Sequence, residues 1–217
     1  KFREHFVNPI EKENDKAKIR HVQQLIRPFF MRRTKHDPEV ELNLPAKQEQ
    51  KEYCPLTSEQ ASLYEQIIEE TFQDIESKSG IERRGYILSL LTKLKQICNH
   101  PALYLKEDNA QDLIPRSHKS EKLVEIVTAI REREESCLIF TQYVAMGKMI
   151  ASILSERLQE PISFLHGGVK KTERDRMIER FQNEERHVII LSLKAGGTGL
   201  NLTAANHVIH YDRWWNP

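Results

Sequence analysis

The stretch from Val188 to Pro217 limits what this chain can fold into more than any other. Two short apolar runs, Val188–Leu191 and His207–Tyr211, bracket a glycine-rich turn, Lys194-Ala195-Gly196-Gly197-Thr198-Gly199. A buried strand that runs into a glycine loop can bring main-chain N–H groups close to an anion. Glycine has no Cβ to hold the anion off, and it reaches positive φ at little cost. Lys194 adds a cation at the mouth of the loop and Thr198 a hydroxyl. The expectation is a phosphate contact, to a nucleotide or to a nucleic-acid backbone. The alternative is a tight turn between two core strands.

The same alternation extends upstream. A helix is predicted near Ser120–Arg131, with Leu123, Ile126, Val127 and Ile130 inward, followed by a buried strand at Cys137–Thr141. Val144–Gln159 carries Met146, Ile150, Ile153, Leu154 and Leu158 at helical spacing; Ile162–Leu165 is the next strand and Thr172–Gln182 the next helix. Strands alternating with helices of this length predict a parallel sheet covered on both faces. Ligands of such sheets sit at the carboxyl ends of the strands. Three loops fall there: Thr141-Gln142-Tyr143, His166-Gly167-Gly168 and Lys194–Gly199.

Residues 1–105 read as helical instead. Ile19, Val22 and Ile26 mark one face of a helix over Ala17–Ile26. Ser58 is the expected N-cap of a helix reaching Ile75, with Tyr64, Ile68, Phe72 and Ile75 as its apolar stripe. A further stripe, Ile87, Leu91, Leu94 and Cys98, is closed by Asn99-His100-Pro101. Only Gln48–Cys54 suggests a strand in this half. Between the first helices, Arg27-Pro28-Phe29-Phe30-Met31-Arg32-Arg33-Thr34-Lys35 sets four cations among two aromatic residues. That suits a phosphate or an acidic partner; the alternative is a connector anchored by its Phe side chains. Glu107–Pro115 lacks periodicity and reads as a loop and boundary.

Several function classes drop out. No apolar run approaches the roughly 20 residues of a membrane span, and Lys1-Phe2-Arg3-Glu4-His5 carries no signal-peptide pattern. The chain start reads as the middle of a longer protein. Cys54, Cys98 and Cys137 have no paired spacing for zinc or for disulfides, so a reducing, cytoplasmic setting is expected. With a net charge of +1, any polyanion contact must come from local clustering. No GxxxxGK[ST] occurs, and no Asp-Glu pair follows an apolar strand to hold magnesium.

Two motifs add weight. His166-Gly167-Gly168-Val169-Lys170-Lys171 leads into a helix that Thr172 can cap with Asp175 as capping-box partner. Glycines and lysines ahead of a helix N-terminus favour an anion through free N–H groups and the helix dipole. His166 has no carboxylate or nucleophile near it in sequence and is expected to position or pack. Trp214-Trp215-Asn216-Pro217 offers rings that stack on bases or lie in a core; Trp215 is the expected nucleic-acid contact.

Taken together, these residues resemble the SWI/SNF-like ATPases of helicase superfamily two. Leu193–Asn206 with Asp212–Pro217 is similar to motif V and its downstream segment, and Cys137–Tyr143 to motif IV. Phe164–Phe181 is similar to the block between those motifs. Leu94–Pro101 resembles the helix end before the second lobe, and Arg27–Arg33 the brace segment leaving the first. Five blocks in the family's order cover essentially the whole chain. His166-Gly167-Gly168 stands where many members have Asp-Gly-Ser, Trp214 replaces a smaller or acidic residue, and Asp37-Pro38 interrupts the brace. These variants look closer to prokaryotic members, which speaks against a nucleosome as substrate.

The resemblance implies an α/β fold: a RecA-like three-layer domain with a mostly parallel sheet, preceded by an α-helical region. Residues 1–105 would hold the end of the first lobe, the brace and protrusion helices, residues 106–118 a linker, and residues 119–217 the second lobe, truncated before motif VI. It implies the C-terminal part of a double-stranded-DNA-dependent ATPase and translocase. Such motors use ATP with magnesium in the cleft between two lobes, so the missing first lobe is an expected partner. The Walker lysine and acidic pair would precede Lys1 and the arginine of motif VI would follow Pro217. The chain alone is therefore expected to be inactive, to bind no ATP, and to hold no catalytic residue or metal ligand. By position, Thr141 and Gln142 match the DNA-backbone contacts of motif IV, and Gly167, Gly168 and Lys170 the loop facing the tracked strand. Ser192, Lys194 and Thr198 match the phosphate contacts of motif V, Gly197 and Gly199 the nucleotide side, and Trp215 the tryptophan gating the groove. A prokaryotic member would be cytoplasmic and nucleoid-associated. The alternative is a non-catalytic nucleic-acid- or protein-binding module on the same lobe. An RNA helicase is a weaker third reading, because the Trp-Trp-Asn-Pro and Cys-Asn-His-Pro blocks argue against it.

Overall fold

The computed structural model describes residues 1–31, 48–76, 78–107, 111–183, 185, 187–196 and 200–213. They divide into two compact units, Lys1–Lys51 and Glu52–Pro217.

In the first unit a π-helical turn, Arg3–Val7, runs into helix α1 (Asn8–Glu13), and α2 (Lys16–Ile26) follows. The break between α1 and α2 has a local cause. Asn14 turns left-handed at φ 51°, and the Asp15 carboxylate then accepts the N–H groups of Ala17 and Lys18 at 2.9 and 3.1 Å. Asn tolerates that backbone and Asp is a strong N-cap, so two residues end one helix and start the next. Phe6 packs against Phe2 and His21, with the Lys18 ammonium 5.5 Å from its ring centre. The expectation that Phe29 and Phe30 anchor a connector is not met: they are 91% and 62% exposed. The cations Arg32, Arg33 and Lys35 lie outside the described residues.

The second unit begins with a helical hairpin, α3 (Ser58–Glu76) and α4 (Gly80–Asn99), closed by the short α5 (Pro101–Leu105). The cap of α3 is Thr57, one residue earlier than expected. Thr57 Oγ1 accepts the Gln60 N–H at 3.3 Å, while Gln60 Oε1 accepts the Thr57 N–H at 3.1 Å, a reciprocal capping box. The expected stripes are met in part: Ile75 is buried, and Tyr64, Ile68 and Leu94 pack on the core. Ile67, Leu90 and Ile97 form the hairpin core with Leu63, Tyr64, Ile68 and Leu94 around it, whereas Phe72, Ile87 and Leu91 are exposed. The inward face of α3 includes the polar Gln60 and Thr71, which hydrophobicity alone does not select. Gln60 is tolerated there because its amide donates to the Ile97 carbonyl at 2.7 Å. Gln48–Cys54 forms no strand. Arg116, in a 3-10 turn at Ile114–Arg116, grips Glu59 and Glu107 through two bidentate pairs at 2.6–3.0 Å. This fastens the start of α3 to the segment after α5, and the guanidinium holds the Glu107 carboxyl below its usual range.

From α6 (His118–Glu132) onward the fold is α/β. Its strands are β1 (Cys137–Thr141), β2 (Ser163–Leu165), β3 (Val188–Ser192) and β4 (His207–His210), all parallel, in the order β2-β3-β1-β4. The register aligns Thr141 with Ser192 at the end of the central pair. Successive residues of a strand point to opposite faces, and both faces are covered. Cys137, Ile139, Val188 and Ile190 meet α6 and α7 (Val144–Leu158) through Leu123, Val127, Met146, Ile150 and Leu154. Leu138, Ile189 and Leu191 meet Phe181 of α8 (Lys171–Gln182), with Leu200, Leu202, Ala204 and Ala205 alongside. Burial pushes the Cys137 thiol up to about 12, as apolar surroundings do for a thiol. This is the three-layer arrangement of a RecA-like lobe with its preceding helices. Among the described residues no helix is long and apolar enough to cross a membrane.

Candidate nucleic-acid interface

Because every strand of the sheet is parallel, the loops after β1, β2, β3 and β4 all leave from one edge. That topology gathers Thr141-Gln142, His166-Gly167-Gly168, Lys194 and Tyr211-Asp212-Arg213 on a single rim. Arg174 of α8 donates to the Ala195 carbonyl at 3.4 Å, tying the helix after β2 to the segment after β3.

On the β2 side, Gly167, Gly168 and Lys170 are exposed. His166 shapes this loop: its Nδ1 accepts the Gly168 N–H at 3.1 Å, and its ring lies 4.9 Å from that of Phe164. An added Cβ on Gly168 would sit 3.1 and 3.3 Å from His166 Cε1 and Nδ1, so a side chain there requires the imidazole to give way. The expected positioning role of His166 is what the geometry describes. The expected capping box of Thr172 with Asp175 does not form. Helix α8 starts one residue earlier, Lys170 is its N-cap, and no side chain caps it.

After β3 the chain does not enter an open loop at once. Leu193–Gly196 makes one helical turn, α9, which holds Lys194 exposed and Ala195 buried. Gly197, Thr198, Gly199 and Trp215 lie outside the described residues.

Thr141 and Ser192 lie behind the rim, not on it: Thr141 is fully buried and Ser192 is 5% exposed. For Thr141 the partner is Asp212. Its carboxylate, 5% exposed, accepts the Thr141 hydroxyl at 2.7 Å, the Gln142 N–H at 2.8 Å and the Asn99 side-chain N–H at 3.1 Å. A buried carboxylate needs such donors to offset its desolvation. The half-buried Gln142 side chain donates to the Arg213 carbonyl. Around Asp212 the network continues. Lys119 of α6 donates to Asn99 Oδ1 at 2.8 Å and lies 4.7 Å from the centre of the Tyr211 ring. The Asn99 carbonyl accepts from Ser117 Oγ and Tyr211 Oη, each at 3.0 Å. Burial lowers the affinity of Lys119 for its proton, with Asp212 opposing, and raises the Tyr211 phenol well above its ordinary value.

Sequence reasoning missed this network. Asn99 and Asp212 both stand in blocks that carried the resemblance, but they are 113 residues apart, and nothing in either block's spacing pairs them. Neighbouring His100 is settled too. Its Nδ1 accepts the Ala102 N–H at 3.1 Å while Nε2 donates to the Leu113 carbonyl at 2.8 Å, the neutral ring that burial favours. Among the described residues no group of three or more His, Cys, Asp or Glu could hold a metal ion.

Comparison with known proteins supplies the family. The helicase conserved C-terminal domain matches residues 118–217, and the SNF2-related domain matches residues 1–103. The chain is 59% identical over 216 residues to the putative ATP-dependent helicase/translocase YwqA of Bacillus subtilis, covering 100% of this chain and 23% of that protein. It is 34% identical over 203 residues to human chromodomain-helicase-DNA-binding protein 1, covering 88% of this chain and 12% of that one. The chain thus spans about a quarter or less of the length of these two relatives. Among solved structures, the Sulfolobus solfataricus SWI2/SNF2 ATPase core in complex with dsDNA superposes with a TM-score of 0.72 at 42% identity, covering 99% of this chain and 45% of that one. The C-terminal domain of that ATPase gives 0.68 at 48% identity over 76% of this chain and 71% of its own. With two adjoining family domains matched in order, and with the parallel-sheet lobe and its rim in place, the chain belongs to the SWI/SNF-like ATPase family of helicase superfamily two.

Proposed function

We propose that this chain is the C-terminal part of a double-stranded-DNA-dependent ATPase and translocase, contributing DNA-backbone contacts and one wall of the ATP cleft. The observation that carries the reading is the single rim of exposed Gly167, Gly168, Lys170 and Lys194, backed by a buried polar network. Lys170 and Lys194 act as point charges for phosphates. The uncapped start of α8 adds N–H groups and a dipole that favour an anion. Gln142 reaches the backbone from the rim, while Thr141 and Ser192 act from behind by holding the ends of β1 and β3. Thr198 and Trp215 are assigned to DNA, and Gly197 and Gly199 to the nucleotide side, on their positions in motif V and the segment after it. Residues 1–105 are assigned to the end of the first lobe with brace and protrusion helices, 106–118 to the linker, and 119–217 to the second lobe.

ATP is the substrate of the intact two-lobe protein, with magnesium as its counterion. No described residue is assigned to the metal, and no step runs through it. The partner is the first RecA-like lobe, the setting cytoplasmic, and the chain alone is inactive.

The test is ATP hydrolysis by the intact protein with and without duplex DNA, alongside duplex RNA. Stimulation by DNA over RNA is expected. In the same protein, Lys194→Ala weakens DNA binding across sequences and lowers the slope of log affinity against log salt by about 0.9, one phosphate contact. An ATPase indifferent to duplex DNA, or an unchanged slope, would count against the assignment.

A further inference from the structure

Asn99 is 2% exposed and sits at the last residue of α4. Its side-chain amide faces a cation on one side and an anion on the other. Oδ1 accepts from Lys119 Nζ at 2.8 Å, and Nδ2 donates to Asp212 Oδ2 at 3.1 Å. Its main-chain carbonyl is occupied by Ser117 Oγ and Tyr211 Oη. An amide can serve both neighbours in only one orientation, because the carbonyl must meet the ammonium and the N–H the carboxylate.

The other end of this bridge is the rim. Asp212 also holds the Gln142 N–H, and the Gln142 side chain donates to the Arg213 carbonyl, which Lys95 of α4 reaches at 2.5 Å. A shift of α4 therefore either breaks a buried, charge-assisted bond or carries Gln142 and Arg213 with it. Such bonds are about twice as strong as neutral ones, so movement together is the cheaper course.

We propose that Asn99 is a positioning residue for the rim: by joining Lys119 to Asp212, its amide couples the hairpin of α3 and α4 to Gln142 and Arg213, so that DNA on the rim is felt by the hairpin. Asn99 touches neither DNA nor nucleotide in this scheme. The inference rests on the DNA-dependent ATPase reading above.

The experiment compares intact wild type, Asn99→Leu and Asn99→Asp by basal ATPase, duplex-stimulated ATPase and thermal midpoint, at pH 8 and pH 5.5. Asn99→Leu keeps the size of the side chain and removes both bonds. Basal hydrolysis is expected to hold, while stimulation by DNA falls on the order of tenfold, within the range for coupling between sites. Asn99→Asp sets a second carboxylate against Asp212. At pH 8 both ionise and repel, and stimulation drops as in the leucine variant. At pH 5.5 the two carboxylates share a proton; the new O–H donates to Asp212 as the amide did, and stimulation returns relative to wild type at the same pH. Among the described residues, the other titratable groups around the network are Lys119 and Lys95, Cys98 and Cys54, Tyr143 and Tyr211, and His100, which follows Asn99 in the chain. Wild type carries all of these and serves as their control at each pH.

A folded Asn99→Leu protein stimulated within twofold of wild type overturns the proposal. So does an Asn99→Asp deficit equal at both pH values, which would mark a merely structural residue. If Asn99→Leu does not fold, the pH ratio of Asn99→Asp decides alone. Wild type that ignores duplex DNA removes the function reading itself, a separate and distinguishable failure.

Discussion

Thr141→Val separates the two jobs open to Thr141, a bond to Asp212 and a phosphate contact, because it removes a hydroxyl and keeps the shape. Thr141 is fully buried and donates to Asp212 at 2.7 Å. A hydrogen bond to a charged group contributes about 1.5–3 kcal/mol, and the matched volume of valine leaves no cavity term to add. Asp212 retains Gln142 N–H and Asn99 as donors, so the lower half of that range applies, about 2 kcal/mol. For a unit the size of Glu52–Pro217 this lowers the thermal midpoint by roughly 4–8 °C. Thr141→Ser, which keeps the donor and loses one methyl, should cost about 1 kcal/mol. The assay is thermal unfolding followed by circular dichroism, paired with DNA titrations across a salt series. Because the hydroxyl faces Asp212 and not solvent, the salt slope of Thr141→Val should equal that of wild type. Stability within about 0.5 kcal/mol of wild type, together with a slope reduced by one phosphate contact, would refute the reasoning and return Thr141 to the DNA surface.

Two further outcomes follow from single contacts. Gly147 of α7 lies under the Phe164 ring: an added Cβ would sit 2.5 and 2.8 Å from Cε2 and Cε1, and nearer still to Cζ. Gly147→Ala gains about 1 kcal/mol of helix propensity but incurs about 1–3 kcal/mol of overpacking; a net loss of about 1 kcal/mol is expected in denaturant unfolding. Phe164→Leu in that background should recover it, and a raised midpoint for Gly147→Ala alone would disprove the contact. For His100, burial lowers the pKa below its ordinary 6.5, so the unfolded chain takes up the proton first as pH falls. Its contribution to stability is complete above pH 6.5 and is lost below, by at most about 1.4 kcal/mol per pH unit for one proton. His100→Asn should flatten that acid limb of the midpoint-against-pH curve, and an unchanged limb would assign it to other groups.

What the chain order alone determined is the alternation of strand and helix and the edge on which the loops gather. Cys137–Thr141 and Val188–Leu191 are apolar runs too short to be anything but buried strands between amphipathic helices, and a parallel sheet sends every strand end to one side. The glycine and lysine blocks on that side were legible for the same reason, as local patterns of a few residues. What the tertiary structure decided was which of those polar groups face out. The hydroxyl of Thr141 looked available in sequence and is occupied by Asp212, and the inward face of α3 takes in Gln60, whose amide bonds a carbonyl across the hairpin. The pairing of Asn99 with Asp212 joins positions 113 apart. Hydrogen bonds of that reach are set by how layers stack, and no short window of sequence contains both partners.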